Sequence, residues 1–261
     1  MSYKSLLVHV EADAAGRERL KIAVRLAKAF GARLVGVGAR SCEVNPDPLG
    51  LSEMHLRQIV EEDLARAETI FKEEAAEIAS AWHRSIEPPT EAMLSHACGA
   101  DLIVADRGIE RPSETKASTA DLIMGAGAPI FVAPPDSKLD FGSVVIGWKN
   151  TREARRAVWD AMPFLKQAKS VQVVRFASEP GGQEIADLVL RLKLHGVNAK
   201  EDVREDPASS IAQGIKDAAR SASAGLIVVG GYGHSRIREW VLGGVTEDLL
   251  RDSPASLLFS H

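Results

Sequence analysis

The sequence predicts an α/β protein of two doubly wound (Rossmann-like) domains, each with a five-stranded parallel sheet flanked by helices. Three observations predict it. Short β-branched runs alternate with segments of helical period along all 261 residues, and that alternation requires parallel strands joined by right-handed crossovers. The order of elements repeats: Asp101-Leu102-Ile103-Val104-Ala105 matches Gly225-Leu226-Ile227-Val228-Val229, and Thr119-Ala120-Asp121-Leu122-Ile123 matches Thr246-Glu247-Asp248-Leu249-Leu250. The chain is also long for one domain and sufficient for two small ones. The expected domains are residues 1–138 and 139–261.

The first half opens with a strand at Leu6–Val10. Residues 17–30 then repeat apolar positions at Leu20, Ala23, Val24, Ala27 and Phe30, one face of a helix that Gly31 ends. Arg33–Val37 is the second strand. Pro46, Pro48 and Gly50 make residues 41–52 a loop. A long helix is expected over 53–82, with Ile59, Leu64, Ala67, Phe71, Ile78 and Trp82 inward, and a short strand from Trp82 to Glu87. Pro88-Pro89 opens a helix through Cys98. Strand 101–105, helix 117–126 and strand 129–132 complete the half, and Pro134-Pro135-Asp136-Ser137 reads as a linker.

The second half repeats the pattern. Strand Val144–Ile146 leads to a helix from residue 152 with Ala154, Ala157, Val158, Ala161 and Leu165 inward. Strand Val171–Val174 follows, then helix 183–194, strand 197–203, helix 208–222, strand 225–229, helix 244–251 and strand 256–259.

Composition narrows the function. The chain is 45% hydrophobic and 26% charged with only 5% aromatics, so Ala, Val, Leu and Ile must fill the cores. The net charge of −4 and the absence of a basic run give nucleic acid no electrostatic foothold. Two cysteines, Cys42 and Cys98, make neither a disulfide framework nor a metal motif. The first residues lack the apolar core of a signal peptide, and no segment approaches a membrane span, so a cytoplasmic, soluble protein is expected. Dehydrogenase, Walker-type and nucleophile-elbow fingerprints are absent.

The chemistry concentrates around Gly230-Gly231-Tyr232-Gly233-His234-Ser235 and Leu242-Gly243-Gly244-Val245-Thr246-Glu247. A glycine-rich loop leaves a strand and a second glycine pair opens a helix. Glycine lets backbone approach a ligand, and a helix N-terminus offers unpaired N–H groups and partial positive charge to an anion. The spacing Gly230, two residues, Gly233, nine residues, Gly243 resembles the signature of the universal stress protein family. Gly147-Trp148-Lys149-Asn150-Thr151-Arg152-Glu153-Ala154 resembles the end of that family's first strand and its first helix. The resemblance covers residues 140–261 well and 1–138 more faintly, so the chain looks like a tandem universal stress protein.

The resemblance implies a nucleotide-binding, stress-response or regulatory module. An ATP-type nucleotide would lie in the second half, with phosphates on Gly230, Gly233 and the amides of Gly243, Gly244, Val245 and Thr246, and with Lys149 and Asn150 beside Gly230. It also implies pairing through the last strand, here between the two halves of one chain or in a homodimer. Two positions depart from the family. Gly244 stands where the family has Ser or Thr, with Ser235 and Thr246 as replacement hydroxyls. Lys149 stands where the family has an acidic residue on the nucleotide or its metal, which favours an anionic ligand held with little need of Mg²⁺. His234 stands where the family often has Arg or Lys; it is either a phosphate contact or a solvent-facing loop residue. The first half has Asp106 and Ile109 at the places of Gly230 and Gly233, and Lys116 and Ala117 at those of Gly243 and Gly244. It reads as a degenerate partner domain without a nucleotide; the alternative, a different ligand in the same crevice, has no cluster of side chains in the sequence to support it. No general base stands out near the glycine loop, so an enzyme is not the favoured reading. Two alternatives stay open: an interaction protein of the same scaffold without a nucleotide, and a slow phosphate hydrolase.

Overall fold

The computed structural model describes residues 2–42, 51–108, 113–134, 137–176, 182–205, 210–232 and 244–261, with side chains from residue 54 in the second of these segments. The chain divides into two compact units, Tyr3–Ala128 and a second running from Pro129 to His261.

In the first unit, β1 (Ser5–His9) lies between β2 (Arg33–Ala39) and β4 (Leu102–Ala105), and β3 (Ser80–Ser85) extends the sheet beyond β2. All three pairings are parallel. Leu6, Leu7 and Val8 are buried, as both-face coverage of a parallel sheet requires. Helices α1 (Ala14–Phe30), α2 (Leu51–Glu74), α3 (Pro89–His96) and α4 (Thr119–Gly125) connect the strands. Asp13 caps α1 by accepting from the Gly16 N–H at 2.6 Å, and Gly31 ends it in the left-handed region at φ 59°. The expected helix over 53–82 stops at Glu74, and Trp82 belongs to β3. Its ring packs 5.3 Å from Phe71 of α2, so the aromatic pair joins helix to strand.

In the second unit the strand order is β5 (Ile130–Val132), β10 (Ser256–Ser260), β9 (Leu226–Gly230), β6 (Ser143–Gly147), β7 (Ser170–Phe176), β8 (Ala199–Arg204). Four pairings are parallel, and β5 runs antiparallel to β10, Val132 opposite Leu257. The expected helix from residue 152 is two helices, α5 (Arg152–Asp160) and α6 (Met162–Leu165). Pro163 cannot donate to a continuing helix and sits in the first turn of a new one. Helices α7 (Gln183–Leu194), α8 (Ile211–Ser221) and α9 (Gly244–Asp252) complete the unit. Phe131, Phe141 and Phe164 form a ring cluster with centroids 4.7–6.0 Å apart. No described helix is long and apolar enough to cross a membrane.

Candidate functional site

The sheet of the second unit reverses direction of growth at β6 and β9, which pair with Gly147 opposite Val229. Open α/β sheets bind ligands in the crevice beyond such strand ends. The register sets Trp148 level with Gly230. Lys149 and Asn150 follow and are exposed, whereas Trp148 is buried and belongs to the core. Thr151 caps α5 by accepting from the Ala154 N–H, and Arg155 donates to Asn150 Oδ1 at 2.7 Å.

Gly230 has a packing role in this geometry. A β-carbon there would lie 2.6 Å from the Ala154 nitrogen and 2.8 Å from the Glu153 carbonyl carbon, so only glycine lets the first turn of α5 press against β9. Burial raises the Glu153 carboxyl. Its own backbone N–H, the Thr151 hydroxyl, Arg152 and His261 outweigh that, and the group stays below the usual carboxylate range. Tyr232 leaves the strand with φ 52°, a conformation rare for a residue with a side chain. Gly244 opens α9 on its exposed side, Val245 is half-buried and Thr246 is buried. Gly233, His234, Ser235 and Gly243 lie outside the described residues. The structure therefore brings together Lys149, Asn150 and Gly230, and sets Gly244, Val245 and Thr246 in the first turn of α9.

The sequence reading passed over His261. Its Nδ1 lies 3.1 Å from the Gly231 carbonyl, and Gly231 N–H donates to Ser260 O at 2.8 Å. The signal was the register of β10: with Ser260 opposite Gly230, the next residue must meet Gly231.

The first unit carries an ionic cluster where none was expected. Arg19 of α1 is 6% exposed. Its Nε and Nη2 donate to the His9 carbonyl at 3.1 and 3.0 Å, Nη1 donates to Asp106 at 3.0 Å, and Nη2 also donates to Glu11. Burial raises the Glu11 carboxyl, but bonds and charges from His9 and Arg19 win and bring it down to about 2. His9 Nε2 lies 3.1 Å from the Ala39 carbonyl, and Thr119 donates to the Asp106 carbonyl at 3.0 Å. Asp106, at the place of Gly230 in the second half, is thus tied to a guanidinium. Beside this cluster an open cleft of about 340 Å³ lies past the ends of β1 and β2, against α2. Among the described residues no group of three or more His, Cys, Asp or Glu side chains is placed to hold a metal ion.

Comparison with known proteins fits this geometry. Residues 150–261 match the model of the universal stress protein family. No curated protein matches the sequence. A universal stress protein from Archaeoglobus fulgidus superposes with a TM-score of 0.74 at 12% identity, over 98% of this chain and 95% of its own. A Pseudomonas aeruginosa protein described as a universal stress protein gives 0.61 at 15% identity, over 99% and 93%. A second P. aeruginosa protein, of unknown function, gives 0.59 at 15% identity, over 99% and 92%. At these identities the likeness is one of fold.

Proposed function

We propose that the second half is a nucleotide-binding regulatory module of the universal stress protein kind, taking an ATP-type ligand past the ends of β6 and β9. The observation that carries this reading is the pairing of β6 with β9, Gly147 opposite Val229, which sets the end of β6 beside a strand of the segment, residues 150–261, that matches the family. Phosphate would meet the first-turn amides of α9, whose partial positive charge suits an anion, and Lys149 would add a cation on the β6 side. With a lysine in place of an acidic residue, binding should depend weakly on Mg²⁺. This reading assigns binding and leaves turnover to be measured.

One observation favours a second reading, a scaffold that acts by protein contact. The N-terminus of α5 lies against Gly230 and already carries its own anion, the Glu153 carboxylate, held by its own backbone N–H and the Thr151 hydroxyl.

Calorimetric titration of the full chain with ATP, with and without Mg²⁺, separates the two. The nucleotide reading expects binding that survives chelation of Mg²⁺. It also expects Lys149→Ala to weaken binding by about 1–3 kcal/mol, the scale of one charge-assisted bond, and Gly233→Asp to abolish it. Absence of ATP binding, or full affinity in both variants, would leave the contact-protein reading.

A further inference from the structure

The cleft of the first unit has walls of opposite charge. One wall is the turn from β1 into α1, with the exposed Asp13 and with Glu11, whose carboxylate is buried against Arg19 and His9. Glu11 shares Arg19 with Asp106 and also pairs with His9; with Asp13 added, this wall is net negative whether His9 is neutral or charged. The other wall is the end of β2 with α2. There Arg40 and Arg66 both pair with the single carboxylate of Asp63, so this wall is net positive. Arg40 Nε is buried without a hydrogen-bond partner among the described residues. Between the walls Val10, Ala39, Leu64 and Ala67 form an apolar floor.

Each property excludes a class of ligand. A triphosphate would meet the net negative wall of Glu11 and Asp13. A purely apolar ligand would strip water from both charged walls and give nothing back. A ligand of one sign would satisfy one wall and oppose the other. The volume, about 340 Å³, lies at the small end of the range for small-molecule sites.

We propose that this cleft binds a small zwitterion of the free α-amino-acid class, with its ammonium on Asp13 at the net negative wall, its carboxylate on Arg40 and Arg66, and an apolar side chain on the floor. The site lies in the first unit and is independent of nucleotide binding in the second.

The test is titration calorimetry of the full chain with single free L-amino acids, leucine first. 3-Methylbutylamine and 4-methylpentanoate serve as the two single-charge counterparts of leucine, and adenosine as an uncharged competitor. Two variants keep the fold. Asp13→Asn retains a side chain that caps α1 equally well, and Arg66 is a surface residue whose side chain is 65% exposed, so Arg66→Gln leaves the core intact. The expected result is binding of an apolar amino acid, with each single-charge counterpart and each variant weaker by about tenfold or more, the loss of one charge-assisted bond. The proposal is overturned if no amino acid binds, if both variants bind it as tightly as the unaltered chain, or if adenosine binds in its place.

Discussion

Glu11 shows how one buried carboxylate sets the acid limit of its unit. Its carboxyl falls from an ordinary 4.5 to about 2 because burial is outweighed by His9 and Arg19. A depressed folded value means the group stabilises the fold above about pH 4.5 and loses that contribution as pH falls toward 2. The shift corresponds to about 3 kcal/mol. Glu11→Gln should therefore cost about 2–3 kcal/mol at pH 7 and flatten the decline in stability below pH 4.5, which urea unfolding at a series of pH values would show. Arg19→Met should cost more, about 3–5 kcal/mol, because it strands two carboxylates around a buried apolar side chain. A loss below 1 kcal/mol in that variant would mean water solvates the cluster freely.

Close helix–strand contacts depend on glycines with little room. At Gly38 of β2 a β-carbon would lie 2.5 Å from the Trp82 ring. Gly38→Ala should force the indole out of its place beside Phe71 and cost about 1–3 kcal/mol, visible as a lowered Tm. Gly230→Ala should do the same to α5 without any ligand present, since it meets backbone rather than a movable side chain. Comparing its Tm with its ATP affinity separates packing from binding at that residue. The alternation of strands and helices was legible from hydrophobic period alone, and helix α7 appears over the residues that its Ile185, Leu188, Val189 and Leu192 mark out. Boundaries failed where a local rule was overridden. Trp82 looked like the last inward residue of a helix, yet it lies in β3 and its ring reaches back to Phe71 of α2. The ionic cluster was illegible for a different reason: Arg19 and Asp106 are 87 positions apart, and only the pairing of β1 with β4 brings them together.

The chain's two compact units divide at 128/129, ahead of β5, so Ile130–Val132 belongs with the strands made last. A fragment ending at residue 138 keeps β5 but lacks the β10 edge it pairs with. Such a fragment should self-associate in light scattering, because exposed apolar strand edges recruit other chains. A well-behaved monomer of the 1–138 fragment would show that β5 is not a sticky element. The same connection sets a clock on biosynthesis. Val132 leaves the ribosome about 125 residues before its partner Leu257, which at 5–20 residues per second is roughly 6–25 s. Throughout that interval the β5–β10 bonds cannot form, and Phe131 must stay clear of neighbouring nascent chains. Yield in a cell should then respond to the speed of translation over the second half, and to holding chaperones, more than to the equilibrium stability of the finished protein.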